Sequence, residues 1–219
     1  MPTTPKVGRT DRRRALNRQR LLDAAVSLVA EVGADALTVS AVTERADLGA
    51  GTFYNHFASR EELITEVVRT TVETLGQRLD AMSAPLEDAA EVYGFSLRHL
   101  MGAAVSDPLW GWLMVRLGVA HDELLATLGP RARRDLAKGM ESGRFRILDL
   151  DIATAITFGA LLSTMRVYLA GERDVDPSVV FAETMLRMVG LSPAEARDVA
   201  HRPLPPLRSL EEVEAGKLG

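Results

Sequence analysis

Apolar residues recur at helical spacing along most of this chain, and no stretch alternates long enough to predict a strand. Leu21, Leu22, Ala25, Val26, Leu28, Val29 and Val32 form one stripe, predicting a helix from Asp11 to Val32 closed by Gly33. Two short helices follow. Thr38 can cap the first, Asp47 and Gly49 break it, and Ala50–His56 forms the second before Phe57–Ser59 interrupts. Ser59 and Glu62 have capping-box spacing, so a long helix starts there and runs to about Met82 on Leu63, Ile64, Val67, Val68, Thr71, Leu75 and Leu79. Pro85 fits the first turn of a helix to about Val105. Asp107-Pro108 opens an apolar segment, Leu109–Val119, that Arg116 interrupts. His121–Met140 is amphipathic with a break or kink at Gly129-Pro130. After a loop at Gly143–Phe145, helices are expected at about 149–171 and 177–190. Ser192-Pro193-Ala194-Glu195 then caps a short one reaching His201, and a proline-rich extended tail follows. The fold class is all-α.

Residues 38–63 carry the sharpest signal. Two short helices joined by a tight turn make a helix-turn-helix, which fits the DNA major groove. Thr52, Tyr54 and His56 can donate hydrogen bonds to phosphate oxygens, and Phe53 and Phe57 have the spacing to anchor the second helix from behind. Gly51, Thr52, Phe53, Tyr54, Asn55, His56, Phe57, Ala58, Ser59, Arg60, Glu61, Glu62 and Leu63 closely resemble the G-T-hydrophobic-Y-x-H-F-x-S-K-E-x-L pattern of TetR-family transcriptional regulators. The resemblance extends upstream through Gly33 and Leu37-Thr38-Val39, covering about residues 15–65. The rest of the chain matches only in helical layout. It implies DNA-backbone contacts from Thr38, Tyr54, His56 and Arg60, beside the plainer reading that Thr38 only caps and Tyr54 only packs. The family often has a polar or basic residue opening the recognition helix and an arginine two places after Thr38. Here Gly49, Ala50, Gly51 and Ser40 stand there, so bidentate arginine–guanine contacts are not available. Methyl groups of Ala50 and Thr52 can meet thymine, and Ser40, Thr43 and Asn55 can hydrogen-bond. Asp47 replaces the usual glycine and is expected in the left-handed conformation.

Charge sharpens the picture. Residues 1–20 hold seven basic side chains against Asp11, a net +6 that leaves −10 on the other 199 residues of a chain of net charge −4. A basic arm including Arg12, Arg13 and Arg14 suggests one polyanion-facing end, or else a solvated tail. The absence of cysteine excludes disulfides, thiolate catalysis and Cys-based zinc sites, and fits a reducing cytoplasm. No membrane segment is expected, because Asp151 and Arg166 bracket only 14 uncharged residues in the most apolar stretch. His56, His99, His121 and His201 form no metalloprotease spacing, and Gly49-Ala50-Gly51 lacks the strand and lysine of a phosphate loop. No enzyme activity, metal or cofactor is expected.

In the body, the helices at 149–171 and 177–190 are apolar nearly all round, which implies burial on all sides. Either a partner chain covers one side or these are the central helices of a monomer. The resemblance implies a homodimer, with Ile156, Gly159, Ser163, Val180 and Met185 at the interface. Phe95, His99, Met101, Trp110, Met114, Arg116, Phe158, Met165 and Tyr168 are read either as a small-molecule pocket or as ordinary core. Arg116 would pair with a core carboxylate, point to solvent, or meet an anionic ligand group. The expected organisation is a disordered basic arm (1–10), a helix-turn-helix domain (11–58), a helical effector and dimerisation domain (59–202) and a tail (203–219). The expected function is a cytoplasmic repressor released from a palindromic double-stranded DNA operator by an apolar or amphipathic effector. The alternative is a helical small-molecule-binding dimer with weak or no specific DNA binding.

Overall fold

The computed structural model describes residues 8–33, 37–116, 118–171 and 176–207. Among them the chain is helical throughout, with ten helices and no strand. The elements are α1 (Arg9–Val32), α2 (Val39–Arg45), α3 (Ala50–Tyr54), α4 (Arg60–Ser83) and α5 (Ala89–Ser106). They continue with α6 (Pro108–Arg116), α7 (Gly118–Glu141), α8 (Leu150–Ala170), α9 (Ser178–Met188) and α10 (Pro193–Ala200). The chain divides into two compact units between Val67 and Val68, inside α4 rather than at its start.

The first unit, here the head, is built on the expected apolar stripe. Leu21, Ala25, Leu28 and Val29 of α1 are buried together with Leu37, Val42, Phe53, Phe57, Leu63, Ile64 and Val67. Val26 and Val32, also read into the stripe, are exposed, because they lie at its edges. The helix ends are set by local chemistry. Thr38 accepts from Ala41 N at 3.1 Å, Ser59 accepts from Glu62 N at 3.1 Å, and Gly33 closes α1 at φ 83°. Arg45 forks onto Glu31 at 2.7 and 2.8 Å, tying α2 to α1, and holds that carboxyl down at about 2.

The turn between α2 and α3 places Asp47 at φ 51°, in the left-handed region where a side chain is disfavoured. Its side chain pairs with Arg20 at 3.4 Å, a contact worth little in water. Asp47→Gly is therefore expected to stabilise the head by about 0.5–1 kcal/mol. A rise in urea midpoint at unchanged slope would report it; a lower midpoint would mean that the Arg20 contact outweighs the backbone strain.

In the second unit, the body, α5 packs against α6, α7, α8, α9 and α10. Pro85 lies in the loop before α5 instead of its first turn, since Asp88 caps the helix by accepting from Ala90 N at 3.0 Å. Asp149 caps α8, and Ser192 with Glu195 forms the expected capping box of α10. The expected break at Gly129-Pro130 is absent: Pro130 lies inside a continuous α7. The tail is anchored by its carbonyls, with Arg98 donating to Arg202 O and Arg78 to Leu207 O. By length and composition α8, at 21 residues and mean hydropathy 1.4, could cross a bilayer, so counting uncharged residues understated it. Ala153, Thr157, Phe158, Leu161 and Met165 are nevertheless packed inside the body.

Candidate functional site

The helix-turn-helix presents a mixed polar and methyl-bearing surface. Thr38, Ser40, Ala50, Gly51, Tyr54 and Asn55 are exposed, and Thr52 and His56 are half-buried. Tyr54 is 60% exposed, so its hydroxyl is free to reach outward while its ring meets Phe53 edge-on at 5.3 Å. Phe53 and Phe57 are the buried anchors, 5.8 Å apart. Thr43 is not available to bases: it is buried, and its hydroxyl donates to Val39 O and Ser40 O. Arg12, Arg13 and Arg14 are exposed and stand within the opening turns of α1. Lys6 and the remainder of residues 1–7 lie outside the described residues.

One cluster in the head is not evident from the sequence. Burial, then the charges of Arg14 and Arg18, lower the pKa of His56. His56 is therefore neutral at pH 7 and donates from one ring nitrogen. Arg18 is itself placed by Glu66 at 2.6 Å and by the Phe57 ring, 5.2 Å from its guanidinium carbon. Arg60 donates to Leu37 O, so it ties the start of α4 to the residue before the Thr38 cap.

The body contains a small cavity between α4, α5, α7 and α8. Its walls are apolar, formed by Leu79, Leu97, Leu100, Leu128 and Phe158, and its volume is about 40 Å³. Polar groups converge on it. Thr157 donates to Ala153 O, so Tyr93 donates its phenol proton to Thr157 at 2.8 Å. Burial pushes the Tyr93 phenol well above its ordinary value, which keeps it protonated. Arg131 donates to Asp80 at 2.8 Å and to Glu73 at 2.7 and 3.1 Å. Burial pushes the Asp80 carboxyl up, but hydrogen bonds from Arg134 and Arg131 outweigh this and hold it below the usual carboxylate range. Asp135 completes the polar lining.

Of the nine residues read as a pocket from sequence, Phe158 lines this cavity. Seven of the others lie elsewhere. The cavity meets the face of α5 carrying Tyr93, Leu97 and Leu100, whereas Phe95 and His99 meet edge to face with centroids 4.4 Å apart and His99 meets the backbone of Pro205. Met101, Met114 and Met165 are buried as core, and Trp110 and Tyr168 are half-buried outside the lining. The side chain of Arg116 lies outside the described ones, so its three alternatives stand. Among the described residues no group of three or more acidic, histidine or cysteine side chains could hold a metal.

A third feature is an uncovered apolar face. Ile152, Ile156 and Val167 of α8 are 59, 46 and 55% exposed, and Val180 of α9 is 65% exposed. Ile156, Gly159, Ser163 and Val167 follow one another on one side of α8. Met185, expected on this face, is 3% exposed and belongs to the interior of the body.

Residues 21–67 match the bacterial regulatory proteins of the tetR family, and residues 88–202 match the tetracyclin repressor-like C-terminal domain. The chain belongs to the TetR family of bacterial regulatory proteins. Among solved members, RolR in complex with resorcinol is 45% identical, with TM-score 0.81, over 90% of this chain and 99% of that one. The repressor KstR of Rhodococcus jostii is 31% identical over 99 residues, 45% of this chain and 46% of KstR. The match thus spans about half the length of that curated relative. FadR of Bacillus subtilis, solved with stearoyl-CoA, is 18% identical at TM-score 0.65 over 80% of this chain and 99% of FadR, a likeness of fold alone.

Proposed function

We propose that this TetR-family chain is a homodimeric, cytoplasmic transcriptional repressor released from its operator by a small hydroxylated aromatic compound. The observation that carries the effector class is the cavity: leucine and phenylalanine walls for a planar ring, with Asp80, Asp135, Arg131 and Tyr93 grouped at its polar edge. Ring hydroxyls can donate to either carboxylate and accept from the guanidinium. The 45% identity to RolR, solved with resorcinol, supports a compound of that size and polarity. On the DNA side, Thr38, Tyr54, Asn55 and His56, with Arg12, Arg13, Arg14 and Arg60, hold the backbone. Ser40, Ala50, Gly51 and Thr52 lie against base edges. With no arginine among those last four, discrimination rests on methyl contacts and DNA shape more than on guanine readout. Two heads on a symmetric operator need half-sites one helical turn apart, about 34–36 Å. The effector acts by binding the DNA-free arrangement of the dimer more tightly than the DNA-bound one.

The test is anisotropy of labelled DNA taken from beside the protein's own gene. We expect saturable binding, and release by resorcinol at concentrations at least tenfold lower than by phenol or benzene. DNA binding with equal response to all three compounds would overturn the hydroxylated effector. Failure to bind any fragment in a genome-wide selection would favour the small-molecule-binding dimer instead.

A further inference from the structure

The cavity is too small for the compound assigned to it. About 40 Å³ is near the size of one water, whereas an engineered protein cavity that holds benzene measures about 150 Å³. A ring can enter only if part of the wall moves. Leu79, Leu97, Leu100, Leu128 and Phe158 in that wall are buried in the core, and such packing yields at high cost. The exception is its polar edge.

Beyond that edge lies a second, larger depression of about 520 Å³, lined by Ser83, Ala84, Leu86, Glu87, Val92 and Lys138 among others. Asp80 and Asp135 line both spaces; Arg131 lines only the inner one and Arg134 only the outer. Asp80 is thus held from two sides, with Arg131 donating to Oδ2 at 2.8 Å and Arg134 to Oδ1 at 2.7 Å. Arg134 also grips Asp135 at 2.8 and 3.1 Å. The partition between the spaces is this Asp80–Arg134–Asp135 group.

The two arginines are not equivalent. Arg131 is 23% exposed and further fixed by Glu73 and by Thr127 O at 2.7 Å. Arg134 is 45% exposed, and among the described residues it pairs with Asp80 and Asp135. Arg134 lines the outer space, and an exposed arginine side chain changes rotamer within nanoseconds. Arg131 is the fixed wall and Arg134 the part that can swing.

We propose that the outer depression is the entry vestibule for the aromatic effector and that Arg134 is the gate through which it passes into the inner cavity. This rests on the inner cavity being the effector site, so the test must read access without depending on resorcinol. The chain has no cysteine, so Thr157→Cys places a single thiol at a position that is 2% exposed on the inner wall. Its rate of modification by benzyl methanethiosulfonate measures passage of a ring-sized probe.

In that background, Arg134→Met should raise the modification rate at least fivefold, and Arg134→Gln should do likewise. Ala84→Trp, at an exposed loop position in the vestibule, should lower it by a similar factor. Thermal melts within a few degrees of the Thr157→Cys parent keep a loosened fold from imitating the gate. Rates unchanged by both arginine variants would overturn the gate, and a rate unchanged by Ala84→Trp would overturn the vestibule. Calorimetry of resorcinol with the native chain answers the separate question: no binding there, with altered thiol rates, would sink the effector and leave the passage.

Discussion

Gly159→Arg is expected to leave the chain monomeric and unable to hold its operator. An added Cβ at Gly159 meets nothing within 4 Å in the protomer, so the folded monomer can tolerate a side chain there. The same position lies between exposed Ile156 and Val167 on the uncovered face of α8. If a second copy covers that face, the guanidinium becomes buried without a carboxylate, a penalty of about 3–5 kcal/mol. A two-fold interface would contain the substitution once from each subunit, so the penalty would be incurred twice. Sedimentation should show a monomer with native helical content, and anisotropy should show loss of operator affinity of at least a hundredfold. A dimer that still binds DNA would move the interface off this face.

Gly139→Ala should damage the body as severely from within. The new Cβ would stand 2.0 and 2.3 Å from the ring of Phe145 and 2.7 Å from its Cγ. The ring cannot easily withdraw. Phe145 is 4% exposed, its ring lies against Tyr93 at 5.9 Å, and its own N–H donates to Gly139 O at 2.9 Å. Overpacking of this kind costs about 2–3 kcal/mol, or roughly 5–10 °C in Tm for a chain of this size. Because Tyr93 edges the cavity, effector affinity should fall as well. Gly129→Ala, where nothing lies within 4 Å, is the matched control and should be neutral or slightly stabilising. Equal melting of the two variants would show that Phe145 has room the packing does not reveal.

The head was legible because its signals are local. A capping threonine, a turn with a left-handed Asp47, paired phenylalanines and a capped α4 each act over three or four residues. The clustering of Arg14 and Arg18 on His56 was not, since it joins side chains some forty positions apart. The cavity was illegible for a related reason. α5 is buried on several sides, so hydrophobic period cannot say whether the face of Phe95 or the face of Leu97 looks onto empty space. Asp80 and Arg131 read in sequence as solvated charges on two separate helices, and only the fold brings them within 2.8 Å. Of the large aromatics read from sequence, Phe158 lines the cavity, whereas Phe95, Trp110 and Tyr168 lie outside its lining. Met185 erred in the same direction, because an all-apolar α9 does not reveal which side faces a neighbour.

Pro130 has a consequence for α7 beyond its failure to break the helix. Proline has no N–H to return to the carbonyl of Ala126, and Gly129 before it adds the least helix-favouring ordinary residue. Local preference and tertiary structure therefore disagree at this point. Such frustration persists where the surrounding fold over-determines the conformation, and it collects at working sites. Here it falls one residue before Arg131 and four before Arg134. The hydrogen bond missing at Pro130 therefore leaves one rung of α7 unmade immediately before the turn that carries Arg131 and Arg134.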